Sequence, residues 1–342
     1  SRGRAGAHFG CSDLEGVELE NQGGNGTALQ HWEKRVLGNE AMTGIFDYNP
    51  VFSRLSLAVL EDSGWYTVDY TAAKDLPWGR GRGCDFVRRG CGDMLDEKPY
   101  CGMDIGDKTF GCTLDRGSVA ICSLGTLDED VPADFRYLPD DVGGSLEIAD
   151  YCPYFRGITR QSGRTGNCTN SMNQPDDSTS RYPGEDVFGE TYGGDSVCLE
   201  QGRGWQKITD NSGRKSTLSV GTYGGGCYET ECSADDGLTV YVRGAPFQCE
   251  CEGQELVVDV TICQTTYRGS IICPSCSSVC GANLCPSTEP PSCPGNVKEF
   301  EPVTVATDCT TTAATTTAGS TGQGVLPILS ILLLGLVGVI MK

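Results

Sequence analysis

The sequence predicts an α+β protein, in which a short region with helical patterns precedes a longer, mostly antiparallel β region cross-linked by disulfides. Residues 1–88 contain two of the 20 cysteines and the helical patterns. Residues 89–305 contain 17 cysteines and short runs of period-2 or β-branched composition, which are typical of strands. Residues 306–324 are rich in Thr and Ala, and residues 325–342 form an apolar tail. We therefore predict four segments with these bounds.

Two elements in the first region have clear helical patterns, and one has the pattern of a strand. Residues 14–20 alternate apolar and acidic side chains, which predicts a short strand with a solvated acidic face. Residues 31–40 are predicted to form a helix, because apolar residues recur there near helical spacing. A second helix is predicted to begin after Ser53, a good N-cap residue, and to end at Gly64.

The second region contains the strongest strand patterns of the chain. Residues 238–244, 247–253 and 255–274 alternate apolar and polar residues between turn residues, so we predict antiparallel strands there. Between Cys84 and Cys198 there is little periodicity, which predicts irregular structure.

Charge and cysteine content predict a secreted protein that does not bind nucleic acid. The chain has 46 acidic and 26 basic residues, a formal net charge of −20, and no basic stripe. Its even number of cysteines would pair in an oxidising compartment. The N-glycosylation sequons at Asn25 and Asn167 favour the same compartment. Because the first residues lack the pattern of a signal peptide, we expect this chain to be a fragment of a longer protein.

The apolar tail has the composition of a glycolipid anchor signal. The 17 residues of the apolar run 325–341 would span about 25 Å as a helix, short of the ~30 Å hydrocarbon core. Small polar residues precede the tail and no basic cluster follows it, which favours a GPI anchor at the cell surface. A single transmembrane helix and a buried helix are the alternatives. The candidate attachment residues are Ala313, Ala314, Gly319 and Ser320.

The residues alone do not define an enzyme. The chain has two histidines, His8 and His31, and contains no H-E-x-x-H motif. A lone histidine is more often a capping or core residue than a metal ligand. The segment from Cys273 to Cys280 has zinc-like C-x-x-C spacing, but in an oxidising compartment disulfides explain it better.

Two stretches of the chain resemble the leishmanolysins, the surface metalloproteases of trypanosomatids. Residues 8–44 contain H-W followed by E-x-M, and residues 60–86 contain P-W-G-R-x-x-G-C. The first stretch is similar to the family segment that carries the third zinc histidine and the Met-turn. The resemblance continues more diffusely to about residue 280, and it implies a metzincin-like catalytic region followed by the family's cysteine-rich domain.

The resemblance assigns roles to individual residues. His31 matches the third Zn²⁺ ligand, and Met42 matches the Met-turn methionine that lies under the metal. The general-base Glu of H-E-x-x-H is missing from this chain, so the resemblance implies that the fragment alone is inactive. It also implies a disulfide between Cys11 and Cys84, and another between Cys273 and a downstream cysteine.

Three functions are compatible with these features. The first is a cell-surface zinc endopeptidase that cleaves protein or peptide substrates by metal-activated water. The second is a non-catalytic surface coat or cell-adhesion protein of the same family, and the third is an unrelated cysteine-rich receptor ectodomain. The presence of both His31 and Met42 favours the enzyme, because a coat protein has no physical need for either residue.

Overall fold

A computed structural model describes residues 2–305 together with residues 339–341. The residues left out of the first range are 48, 96, 103–108, 140, 160–162, 176–185, 203, 212, 222–223 and 287–291. The described residues form a mixed, strand-rich fold with few helices. The α-helices are α1 Arg2–Phe9, α2 Lys34–Leu37, α3 Arg54–Asp62, α4 Gly83–Arg88 and α5 Cys276–Cys280.

The prediction of a helix after Ser53 is confirmed by α3. The Ser53 hydroxyl accepts a hydrogen bond from the Leu55 amide at 3.1 Å, which satisfies one of the free donors of the first turn. The helix ends at Asp62, and Gly64 follows with a φ of 75°. The first turn of α3 is buried at Leu55, Leu57 and Ala58, whereas Val59 in the next turn is 40% exposed.

The predicted helix over residues 31–40 is wrong at both ends, because only α2 is helical. Glu33 begins α2, since its carboxylate accepts the Arg35 amide at 3.0 Å. Gly38 ends it with a φ of 50°, and a Cβ there would lie 2.1 Å from the Trp78 ring. A longer helix would drive side chains into Trp78, so packing overrides the helical pattern.

The predicted strand over residues 14–20 is also wrong. A single antiparallel bridge, between Leu19 and Trp32, replaces it. The acidic face is solvated at Glu15 and Glu18, but Glu20 is completely buried. The alternation therefore reflects irregular chain that carries one buried carboxylate.

Among the described residues the strands are short at first and longer after Ser196. In chain order they are β1 Tyr66–Val68, β2 Phe110–Cys112, β3 Val119–Cys122, β4 Leu124–Thr126, β5 Val142–Gly144, β6 Phe155–Gly157, β7 Ser196–Gln201, β8 Trp205–Asn211, β9 Arg214–Val220, β10 Gly224–Ser233, β11 Gly237–Val242, β12 Ala245–Cys249, β13 Glu255–Ile262, β14 Thr265–Ile272, β15 Val297–Glu299, β16 Val303–Val305 and β17 Val339–Met341.

Ten of these strands form the main sheet. Its order is β12-β11-β10-β7-β14-β13-β15, with β16 also paired to β13, and with β8 paired to both β14 and β9. Its pairings are antiparallel except for those of β13 with β15 and with β16. Smaller sheets join β2-β3-β6, β4-β5 and β1-β17.

The strand predictions for the second region are confirmed, except that the strand predicted over residues 247–253 ends at Cys249. The run of residues 255–274 forms the hairpin of β13 and β14, with Ile262 paired to Thr265 across a two-residue turn. Leu256, Val258 and Val260 alternate as fully buried residues on one face of β13. As predicted, the described residues between Cys84 and Cys198 form mainly loops, 3₁₀ turns and three-residue or four-residue strands.

Two main hydrophobic cores divide the molecule. One surrounds Phe9, Trp78 and Tyr100 and extends to Tyr154, so it crosses from residues 1–88 into the following segment. The other lies on the main sheet around Trp205. A third, smaller cluster surrounds two disulfides, Cys112–Cys198 and Cys168–Cys227.

Disulfides join the loops to these cores. The described pairs are Cys11–Cys84, Cys91–Cys152, Cys101–Cys122, Cys112–Cys198, Cys168–Cys227, Cys232–Cys280, Cys249–Cys273, Cys251–Cys293 and Cys276–Cys285. Cys263 is disulfide-bonded as well. The expected pairing of Cys273 with a downstream cysteine is wrong, because Cys249 lies beside it at the end of β12.

Within the described part of the chain, no helix is both long enough and apolar enough to cross a bilayer. The predicted stalk over residues 306–324 lies outside the described residues, as do its attachment candidates Ala313, Ala314, Gly319 and Ser320. The same is true of the apolar tail except for β17.

Candidate metal site

His31 lies immediately before α2, partly exposed, with one ring nitrogen fixed by the main chain. Its Nδ1 lies 3.0 Å from the carbonyl oxygen of Thr27. A carbonyl only accepts hydrogen bonds, so Nδ1 is the donor of this contact, and in the neutral imidazole Nε2 is then the nitrogen with the lone pair. Metal-binding histidines commonly have this tautomer: one ring nitrogen binds the metal, and the N–H of the other donates a hydrogen bond to a backbone carbonyl. The side chain therefore fits the role of a metal ligand through Nε2.

The turn before His31 holds the Thr27 carbonyl in place. The amides of Thr27 and Ala28 donate to the Gly24 carbonyl at 3.2 and 3.0 Å. Leu29, with a φ of 62°, donates its amide to the Glu20 carbonyl at 2.7 Å, and the Glu20 amide donates to the His31 carbonyl at 2.9 Å. The backbone of Glu20 thus holds the chain at Leu29 and at His31.

Met42 is linked by a backbone hydrogen bond to Trp32, the residue that follows His31. The Trp32 amide donates to the Met42 carbonyl at 2.9 Å, and Trp32 forms a parallel bridge with Thr43. The Met42 side chain is 44% exposed. The structure therefore brings the two residues of the family resemblance into adjacent positions, with His31 and Met42 on connected backbone segments.

Glu40 is the residue that fixes this arrangement. It is 1% exposed, and its Oε2 accepts the Met42 amide at 2.6 Å. Its Oε1 accepts the Ser53 amide at 3.1 Å, the Ser53 hydroxyl at 2.9 Å and the Ser56 hydroxyl at 2.6 Å. The Ser56 hydroxyl in turn accepts the Trp32 indole N–H at 3.0 Å. One buried carboxylate thus links the backbone at Met42, the start of α3 and, through Ser56, the indole of Trp32.

Arg35 connects this site to the following segment. It is 4% exposed, and its Nε donates to the Asp150 carboxylate at 2.8 Å. Its two terminal nitrogens donate to the carbonyls of Phe86 and Val87 at 2.9 and 3.2 Å. The Arg35 carbonyl accepts the Trp78 indole N–H at 3.0 Å. A guanidinium with several fixed acceptors gives this junction a defined geometry.

Glu33 is the least satisfied carboxyl group of the site. It is completely buried, its Oε1 accepts the Arg35 amide, and its Oε2 has no hydrogen-bond partner among the described residues. Burial, and then the nearby charge of Asp150, raise the pKa of Glu33 to about 8. Burial also raises the pKa of Glu20 above its ordinary value. Both carboxyl groups therefore disfavour ionisation beside the turn that carries His31.

The cysteine groups with metal-like geometry are disulfides. Cys276 is bonded to Cys285, and Cys280 to Cys232, so none of them offers a thiolate. The same applies to the cluster of Cys11 and Cys84 with Asp13. Among the described residues, no group of three potential ligand side chains includes His31. The interpretation of the C-x-x-C spacing as disulfide-bonded agrees with the structure.

The second histidine of the chain and the two predicted glycosylation residues occupy separate positions. His8 lies on α1, with its Nε2 2.8 Å from the Trp78 carbonyl, so it is a packing residue. Asn25 is exposed in the turn that precedes His31. Asn167 is partly buried, and its side-chain oxygen accepts the amide and hydroxyl of Thr169 at 3.0 and 2.9 Å.

Comparison with known proteins decides the family. The sequence model described as leishmanolysin matches residues 2–286 of this chain.

The chain belongs to the leishmanolysin family.

Relatives of this leishmanolysin-family chain occur in animals and in trypanosomatids. A leishmanolysin-like peptidase of Caenorhabditis elegans is 39% identical, over 82% of this chain and 45% of that protein. One from Drosophila melanogaster is 36% identical, over 81% and 43% respectively, and the leishmanolysin of Leishmania donovani is 27% identical, over 82% and 45%. The chain spans less than half the length of these curated relatives.

The family consists of metallopeptidases and is zinc-dependent in general. The residues that sequence reasoning missed in this family member are those that position His31. Glu40 is part of the E-x-M motif, so a signal for it was present in the sequence. Thr27 acts through its carbonyl and Arg35 through partners far along the chain, so neither has a local signature.

Proposed function

We propose that this chain is the C-terminal part of a cell-surface zinc endopeptidase that cleaves protein or peptide substrates. In the parent protein, His31 would be the third zinc ligand and Met42 the apolar floor beneath the metal. The observation that carries the proposal is the Thr27 carbonyl 3.0 Å from His31 Nδ1, which leaves Nε2 for the metal.

The residues of this chain would position one ligand rather than perform the chemistry. Thr27 fixes the tautomer and ring orientation of His31, and Glu40 holds the Met42 backbone at the same place. Zinc, when bound, would polarise the substrate carbonyl and lower the pKa of a bound water. The H-E-x-x-H motif, which would add two ligands and the general base, does not occur in these 342 residues. We therefore expect this chain alone to show no proteolysis.

The remaining features of the proposal concern location and organisation. A GPI anchor attached near residues 313–320 would hold the protein on the extracellular face of the membrane. Residues 1–88 would complete the catalytic region, and residues 89–305 would form the cysteine-rich domain behind it. Glycans at Asn25 and Asn167 would fit the same compartment.

The first test is to sequence the gene upstream of Ser1 and to express the parent protein. An in-frame H-E-x-x-H, one bound zinc per molecule and cleavage of a protein substrate such as casein are expected. The substitution His31→Ala should remove zinc and cleavage together, because two remaining ligands hold catalytic zinc poorly. Gln30→Ala is the matched control, since this exposed neighbour should leave both unchanged.

The same experiment separates the enzyme from its alternative. An intact upstream reading frame without H-E-x-x-H, and a parent protein without zinc, would identify a coat or adhesion protein of the same fold. Full zinc content in His31→Ala would show that this histidine is not a ligand.

A further inference from the structure

A cleft of about 350 Å³ lies where α1, the start of α3 and residues 74–80 meet. Four cationic side chains and one carboxylate, that of Asp75, line the cleft. The cations are Arg4, Arg54, Lys74 and Arg80. The whole chain has an excess of acidic residues, 46 against 26 basic ones. The positive charge of this cleft is therefore opposite in sign to the net charge of the chain.

Most of this positive charge is not neutralised within the described structure. Arg80 forms an ion pair with Asp75 and donates to the Leu76 carbonyl at 3.0 Å. By contrast, Arg4, Arg54 and Lys74 form no ion pair with any carboxylate that the structure describes. Like charges that line one cleft repel each other, and a bound anion would relieve that repulsion.

Two of the guanidinium groups are held by one aromatic ring. The Cζ atoms of Arg4 and Arg54 lie 3.8 and 5.2 Å from the centroid of the Tyr70 ring. The Tyr70 hydroxyl donates to the Glu61 carboxylate at 2.7 Å, which fixes the ring. The ring thus restrains both exposed arginine side chains, and a restrained side chain loses less entropy when it binds a ligand.

The walls of the cleft are fixed by the backbone. The Lys74 amide donates to the Phe52 carbonyl at 2.9 Å, which attaches the lysine-bearing loop to the start of α3. The Gly81 amide donates to the His8 carbonyl at 2.8 Å, and His8 in turn bonds to the Trp78 carbonyl. The cleft is therefore formed by rigid elements and not by a loop tip alone.

We propose that this cleft binds a tetrahedral oxyanion, a phosphate or sulfate group, through Arg4, Arg54 and Lys74. One guanidinium group can donate two parallel hydrogen bonds to two oxygens of such an anion, and the lysine ammonium adds a point charge. The volume lies within the range of small-ligand sites. The group could be a free ion or ester, or a phosphate on a lipid headgroup, and both present the same chemistry to the three cations. This binding is independent of zinc and of His31.

The test measures binding of inorganic phosphate and inorganic sulfate to the full chain by calorimetry, with sodium chloride at equal ionic strength as reference. The double substitution Arg54→Gln/Lys74→Gln should weaken the affinity by about tenfold or more. Arg214→Gln/Lys215→Gln is the matched control, because it removes two exposed positive charges from β9 and leaves the cleft intact. Circular dichroism melts of both variants establish that they fold.

A second arm distinguishes the two sources of the phosphate group. Flotation with phosphatidylcholine vesicles, with and without a phosphoinositide, measures headgroup binding by the wild type and the same variants. Binding of the free ion alone supports a soluble ligand, and phosphoinositide-dependent flotation that the cleft variant loses supports a headgroup. Absence of binding in both arms, or equal loss in the β9 control, would overturn the proposal.

Discussion

The region around His31 and the main β-sheet bury opposite kinds of side chain. Between residues 20 and 40, five charged side chains are buried, and they are Glu20, Glu33, Lys34, Arg35 and Glu40. In the ten-stranded sheet, Lys207 is the buried charged residue among those described. The sheet core consists instead of aliphatic and aromatic residues reinforced by disulfides.

The two regions therefore have different roles: the buried charges near His31 position side chains, and the apolar core of the sheet stabilises the fold. Burial of apolar surface stabilises a fold without direction, so it tolerates small displacements. Hydrogen bonds to buried charges are directional, and each unsatisfied partner is costly, so they fix a single arrangement. The charged cluster therefore determines where His31 and Met42 lie, whereas the sheet provides the stable scaffold behind them.

Two carboxyl groups illustrate the contrast electrostatically. Glu33 is surrounded by Asp150 and Glu20, and burial among them raises its pKa to about 8. Glu200, on β7, faces Arg116 and Lys98, and their charges outweigh its burial and lower its pKa to about 2. The same side chain thus disfavours ionisation in one region and favours it in the other.

The largest expected effect is at the charged cluster. Arg35→Leu removes three hydrogen bonds and leaves Asp150, which is 5% exposed, without its cation. We expect the free energy of unfolding to fall by about 3–5 kcal/mol, and bound zinc in the parent protein to decrease with it. Denaturant melts and metal analysis measure the two effects. Unchanged zinc in a folded variant would contradict the positioning role.

A matched truncation in the sheet should affect stability without affecting zinc. Leu256→Ala deletes a fully buried side chain from β13 and leaves a cavity. The expected loss is about 3 kcal/mol in the free energy of unfolding. Metal analysis of the folded parent variant should give the wild-type zinc content. A loss of zinc equal to that of Arg35→Leu would remove the distinction between the two regions.

The C-x-x-C segment gives a smaller effect of the same kind. Cys276→Ser/Cys285→Ser removes a disulfide that closes a loop with a sequence separation of 9. The loop-entropy relation gives a destabilisation of about 2–3 kcal/mol, measured by denaturant melts. Zinc content should stay unchanged, since these sulfurs are bonded to each other. A lower zinc content would instead indicate a structural metal site at α5.

The smallest predicted effect depends on pH. Because the folded pKa of Glu200 is lowered to about 2, its ion pairs stabilise the fold above about pH 5, and the contribution is lost as pH falls towards 2. The side chain is 25% exposed, so we expect about 2 kcal/mol at pH 7, below what the full shift implies. Glu200→Gln should be less stable than wild type at pH 7, with the difference vanishing near pH 2.

A double-mutant cycle sharpens this test. In an Arg116→Leu background, Glu200→Gln should change the free energy of unfolding less, because one of its two cations is already absent. An equal effect in both backgrounds, or a difference that grows as the pH falls, would contradict the ion-pair explanation.

The sequence by itself determined the elements whose signals are local. Ser53 caps α3 through its own side chain, and the alternation of residues 255–262 places one face of β13 in the core regardless of what packs there. The resemblance also identified His31 and Met42, because a motif preserves order along the chain. These predictions required only neighbouring residues.

Only the tertiary structure decided features that depend on distant partners. Trp78 ends α2 at Gly38 from forty residues away, so the helical pattern over residues 31–40 could not predict its length. Asp150 is the counterion of Arg35, and Cys273 forms its disulfide with Cys249, which precedes it in the chain. Long-range packing and pairing have no local periodicity, because any of many acidic or cysteine residues satisfies the same local pattern. The sequence therefore gives the position of the proposed ligand His31, and the fold supplies the contacts that orient its side chain.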